Sequence, residues 1–163
     1  MTTDWGEEPQ VRTKAPAGTW QMLFTGMAKN RDGQEMLENK GKGPNAALQL
    51  VMPDGSFEAR DFLTFNAKNA WKMRIINKAL GLPSSNLRSL LQARDSEITD
   101  TSFPEELMRS VLRSWEGKQA WITLEYGSFK YPNVTWECAK PPVIGSKQAV
   151  PKTGTDTASP FSA

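Results

Sequence analysis

The stretch from Ser56 to Leu80 constrains the fold more than any other part of the chain. SFEARDFLTF alternates as a strand does, and AKNAWKMRIINKALGL follows it directly with helical spacing. Phe57, Ala59, Leu63 and Phe65 fall on one face of the strand, and Glu58, Arg60, Phe62 and Thr64 on the other. Asp61 is odd at an inward position, and a bulge or a hydrogen bond to the core is the simplest account. In the helix, Met73, Ile76 and Leu80 lie within an arc of roughly 60° on a helical wheel, enough for a core stripe. The opposite side carries Lys68, Lys72, Arg74 and Lys78, with Trp71 and Ile75 among them. From Arg60 to Arg94 there are seven basic residues and one acid, although the whole chain carries only +2. Residues 95–116 supply six acids and two bases, so opposite faces of the protein should differ in sign.

At 163 residues, one domain with extended ends is the expectation. Nothing approaches the run of about 18 apolar residues that a membrane span needs. The opening MTTDWGEEPQ is polar and acidic, unlike a signal peptide, which implies a cytoplasmic protein. Cys138 is the only cysteine, which excludes an internal disulfide and fits a reducing compartment; a small buried group near a strand end is the expected role. Histidine is absent, which removes the commonest general base and zinc ligand. No carboxylate pair or metal-ligand spacing replaces it, since Glu105-Glu106 reads as first-turn helix charge and Glu7-Glu8 lies near the N-terminus. The expectation is a non-enzymatic protein without metal or cofactor.

Residues 1–17 lack periodicity and read as an arm that Trp5 could pin to the domain. GTWQMLFTGMA (18–28) is a first strand, with Gly26 placed for a bulge. A turn-rich connection over 29–45 carries Lys29, Arg31, Lys40 and Lys42 and matches no phosphate-binding fingerprint, so a solvated loop is expected. AALQLVM (46–52), the PDG turn and the Ser56–Phe65 strand complete a meander. The helix stops at Gly81-Leu82-Pro83, a short helix follows in SSNLRSLLQARD, and another starts near Pro104. Residues 118–127 and 134–138 are the fourth and fifth strands, joined by SFKYPN. The Pro-rich segment 141–163 reads as a disordered tail beyond a domain spanning 18–140.

Three strands, helices, then two strands is the element order of the OB-fold: mainly β, a five-stranded barrel with a helical insertion (84–116 included) between strands 3 and 4. GKG before the second strand, the PDG hairpin, NAKNAWKMRIINKALGL and GKQAWITLEYGSFKYPNVTWE together resemble a family of small phage-encoded proteins. The resemblance implies an OB-fold-like barrel that binds single-stranded DNA in phage replication and recombination, in the host cytoplasm. It further implies phage or host replication proteins as partners through the C-terminal tail. Many single-strand binders end in an acidic tip, whereas TDTASPFSA holds one acid, Asp156.

On this reading Lys29, Arg31, Lys40, Lys42, Arg60, Lys72 and Lys130 contact phosphates. Phe62, Phe129, Tyr131 and Trp71 stack bases, without sequence preference because every base has a π-face. Each aromatic also has a packing reading. Trp71 is expected to be buried with Ile75 while the lysines extend past it. Trp121 is expected under the 103–116 helix, and Trp20, Trp115 and Trp136 in the core. The alternative function is a protein-binding barrel, an adaptor or a virion assembly component. Oligomeric state stays open.

Overall fold

Alternating apolar residues build the sheet, and one parity of each strand supplies the core. The computed structural model describes residues 13–138. Its strands are β1 (Thr13–Lys14), β2 (Gly18–Met27), β3 (Leu37–Asn39), β4 (Pro44–Val51), β5 (Phe57–Thr64), β6 (Gln119–Glu125) and β7 (Asn133–Glu137). Its α-helices are α1 (Ala70–Ala79), α2 (Ser84–Gln92) and α3 (Glu105–Trp115). The sheet runs β1-β5-β4-β2-β6-β7, with β3 paired to β4. It is strongly curled but open: β5 and β7 do not hydrogen-bond as strands. The mainly β sheet with helices between its third and fourth long strands is present as an open half-barrel, with two short strands beyond the five expected.

Met22, Phe24, Leu48, Leu50, Leu63, Phe65, Ile122 and Leu124 line the inner face, each no more than 1% exposed. The three helices cover that face. Met73 and Ile76 of α1, Leu87 of α2, and Leu107, Met108, Val111, Leu112 and Trp115 of α3 join the same core. Trp115 meets Phe24 edge-on at 6.3 Å between ring centroids. Burying a polar group among these helices requires partners, and Asn77 has them. Its Oδ1 accepts from Asn86 (3.0 Å) and from the Trp115 indole (3.2 Å), while its Nδ2 donates to the Pro83 carbonyl (3.0 Å). One amide thus ties α1 to α2 and α3.

Residues 13–17, read from sequence as part of the arm, are built into the fold. Thr13 and Lys14 pair in parallel with Phe57 and Glu58, and Ala15 is fully buried. The Tyr126 hydroxyl donates to the Ala15 carbonyl and the Trp20 indole to that of Pro16 (2.8 Å), closing one end of the curl. Trp5 and the 141–163 tail lie outside the described residues.

The other end closes at Gly43. Its φ is +100°, and a Cβ there would stand 2.1 Å from the Phe65 carbonyl oxygen. Asn66 fixes the same corner: its Oδ1 caps the helical segment at Asn69 N (2.9 Å), and its Nδ2 donates to the Lys42 carbonyl (2.8 Å). Gly43→Ala should cost about 3 kcal/mol or more, from backbone strain plus a clash with main chain. Gly41→Ala, with φ +87° but open space around it, should cost only about 1 kcal/mol. Urea unfolding of the two variants checks this; equal losses would mean that close approach at Gly43 is unimportant.

Candidate nucleic-acid interface

The seam between β5 and β7 is held by side chains where backbone pairing is absent. On its inner side the Asp61 carboxylate accepts from the Trp136 indole (2.8 Å), Lys72 Nζ (3.1 Å) and its neighbour's amide, Phe62 N (2.9 Å). Lys72 also donates to the Phe62 carbonyl (3.2 Å). The inward aspartate thus has the hydrogen bond that its position in the strand requires. On the outer side Phe62 packs edge-to-face against Tyr131, with centroids 4.9 Å apart. Lys130 Nζ lies 5.4 Å from the centre of the Tyr131 ring.

Beside these rings is a cleft of about 210 Å³, lined by Lys14, Glu58, Arg60, Lys130, Tyr131 and neighbouring apolar atoms. Lys14 Nζ lies over the Tyr126 ring at 4.8 Å, and burial pushes the Tyr126 hydroxyl above its usual pKa. Phe129, at the tip of the β6–β7 loop, is 80% exposed. Trp71 is 53% exposed on α1, so the expected burial with Ile75 does not occur; only Ile75 packs against the core. Phe129 and Trp71 are the two exposed large hydrophobics among the described residues.

The predicted phosphate contacts divide into groups. Arg60 and Lys130 meet at the cleft. Arg60 is also structural: Nε donates to Gln49 (3.2 Å) and Nη2 to the Lys29 carbonyl (3.3 Å), with Nη1 3.1 Å from Met36 Sδ. Lys72 belongs to the Asp61 cluster. Lys29, Arg31, Lys40 and Lys42 stay exposed on the 29–43 connection, but that connection is ordered by secondary structure. It contains β3, paired with β4 at Pro44–Ala46, and a bridge between Lys29 and Glu35. Arg109 of α3 holds it with two hydrogen bonds to Glu35 (2.8 and 2.9 Å). The solvated-loop reading missed this anchor, because its two halves are 74 residues apart.

Other corrections concern single residues. Cys138 is exposed and its Sγ lies 3.4 Å from the Ile75 carbonyl, not buried as expected. Trp121 does not pack under α3, which lies on the opposite face of the sheet; it is half-buried on the outer face between Gln21 and Glu137 of the flanking strands. Trp115 and Trp136 are core, as expected, and Trp20 is half-buried against it. Lys14 was missed altogether, since nothing in TK before Ala15-Pro16 signals pairing with β5.

Among the described residues no group of three or more His, Cys, Asp or Glu is placed to hold a metal ion, and no helix is long and apolar enough to cross a membrane. No family model matches the chain, and a search of curated proteins finds no match.

Two outcomes follow from the seam and its loop. Asp61→Ala leaves the Trp136 N–H and Lys72 without their acceptor and should cost about 3 kcal/mol; Asp61→Asn, which keeps an acceptor, should cost about half as much. Denaturant unfolding measures both, and a loss below about 0.5 kcal/mol in the alanine variant would rule out the seam as a stability determinant. At the loop, the hydrogen-bonded Arg109 guanidinium holds the Glu35 carboxyl below the ordinary glutamate range. With the folded value below the unfolded one, this contribution is present above the ordinary glutamate pKa and is lost as pH falls through the folded value. Glu35→Gln should therefore flatten the decline in Tm between about pH 6 and about pH 3. Parallel declines in the two proteins would contradict it.

Proposed function

We propose that the protein binds single-stranded nucleic acid, with DNA as the physiological ligand, along the outer side of the β5–β7 seam. One observation carries the reading: the Phe62–Tyr131 ring pair lies at the cleft that Lys14, Arg60 and Lys130 line, and the exposed Phe129 immediately precedes Lys130 in the same loop. Aromatic rings stack on the π-face that all four bases share, so the site suits binding that ignores sequence. The cations stand where a strand lying on those rings would bring its phosphates. Glu58, the one carboxylate lining the cleft, accepts from Gln49 (2.9 Å) at the rim.

The sheet supports the finer fold assignment as well. Counting only the five long strands, their order is third, second, first, fourth, fifth, and the two edges that would close an OB-fold barrel face each other across the seam. An OB-fold is a partly open Greek-key barrel that binds oligonucleotides on this side of its sheet. The setting in phage replication and recombination rests on the sequence resemblance alone. A non-catalytic role rests on the absent histidine and on the lack of any paired carboxylates in the cleft.

Titrating the chain with a thymidine oligomer, following tryptophan fluorescence at several salt concentrations, tests the proposal. Four neutralised phosphates would give a slope of about −3 in log K against log salt. Removing both rings in Phe129→Ala/Tyr131→Ala should weaken binding by about 2 kcal/mol or more, within the range for two stacked bases. A salt-independent or undetectable interaction overturns the reading and leaves the protein-binding barrel as its successor.

A further inference from the structure

A second concavity among the described residues has a lining that shares no residue with the proposed strand path. Between α1 and α2 is a groove of about 610 Å³ with Leu82, Leu87 and Leu91 on its floor. Arg74, Lys78 and Arg88 stand around it, all exposed, and Asp95 is the only carboxylate in its lining. No carboxylate among the described residues forms a salt bridge with any of the three cations. An apolar floor inside an uncompensated basic rim fits a short acidic segment bearing one large apolar side chain.

The chain contains such a segment. Asp4-Trp5-Gly6-Glu7-Glu8 sets one indole among three carboxylates, ahead of the first described residue. The chain after Cys138 offers no rival: its residues 139–163 carry three lysines and one acid. We infer that residues 4–8 of one copy dock in the α1–α2 groove of a second copy, Trp5 on the leucines and the acids against Arg74, Lys78 and Arg88.

Topology selects the second copy over the same one. β1 runs parallel to β5, so the chain enters beside Phe57, at the end of β5 remote from α1. The eight residues from Trp5 to Thr13 reach about 26–29 Å fully extended. That is hardly more than β5 itself, 8 residues long at about 3.3 Å each, and α1, one wall of the groove, follows the far end of that strand in the chain. A neighbouring copy has no such limit. Each copy then offers both a segment and a groove, so the contact is head-to-tail and links copies into chains or rings. It is small, and so belongs with weak, transient interfaces.

The proposal is independent of nucleic-acid binding and is tested without it, by sedimentation velocity of the full chain at low salt over a wide range of protein concentration. Oligomers that grow with concentration and shrink with added salt are expected. Trp5→Ala, the groove reversal Arg74→Glu/Arg88→Glu, and the segment reversal Asp4→Lys/Glu7→Lys/Glu8→Lys should each weaken self-association about tenfold or more. Arg74 and Arg88 are exposed, and circular dichroism melts report any loss of fold in each variant. Mixing the two reversed proteins is decisive: the native segment of one meets the native groove of the other, and the reversed segment meets the reversed groove, so the mixture should associate where neither variant does alone. A wild-type chain that stays monomeric at every concentration overturns the proposal, as does association unaffected by either reversal.

Discussion

The carboxylate of Asp61 is the interaction on which this structure most depends. A curled sheet whose edges do not pair must hold its two ends together by other means, and here one buried aspartate receives donors from β5, β7 and α1. A strand ladder across the same gap would have supplied several backbone hydrogen bonds and demanded a fixed register. The side-chain closure asks for less: one indole N–H, one ammonium and one amide aimed at two oxygens. Its weakness as a ladder is offset by low exposure, since hydrogen bonds to a charged acceptor gain strength as water is excluded. β1 covers the edge of β5 only at Phe57 and Glu58, and further along the strand Phe62 meets Tyr131.

The same economy of anchors recurs at the connections. The basic 29–43 segment is held by Arg60 from beneath and by Arg109 from α3. Its exposed lysines are thereby presented on a fixed scaffold. The chain before β2 is pinned by Tyr126 and Trp20, which places Lys14 at the cleft. In both cases cations at the surface are positioned by neutral or paired groups just below them. Exposed pairs such as Lys40 with Glu38 add little by comparison, because solvent screens them.

Charge and shape separate the surface into two regions with different chemistry. Around the β5–β7 seam, cations alternate with rings, an arrangement suited to a strand of bases and phosphates. Between α1 and α2, cations surround leucines, an arrangement suited to an acidic peptide. Only the second draws all its cations from the basic stretch that follows Arg60; the first adds Lys14 and Lys130 from distant parts of the chain. A chain that polymerises head to tail through the second region would present the first as a repeated surface.

Sequence alone determined the parities and the local stops. Inward Leu63 and Phe65, outward Arg60 and Phe62, the PDG turn and the end of α1 near Gly81 all follow from residue spacing and turn chemistry, which act over a few residues. The helical insertion and the apolar face of α1 were legible for the same reason. What spacing could not reveal was which distant partner each side chain would find. Asp61 meets Trp136 across 75 residues, Glu35 meets Arg109 across 74, and Thr13 pairs with Phe57 in a strand that shows no alternation of its own. Trp71 shows the limit most plainly: helical periodicity put it on the basic side, but its 53% exposure depended on where α1 docked. Whether the sheet closes was likewise a tertiary decision, because curvature is a property of all the strands packed on one core and of no strand by itself.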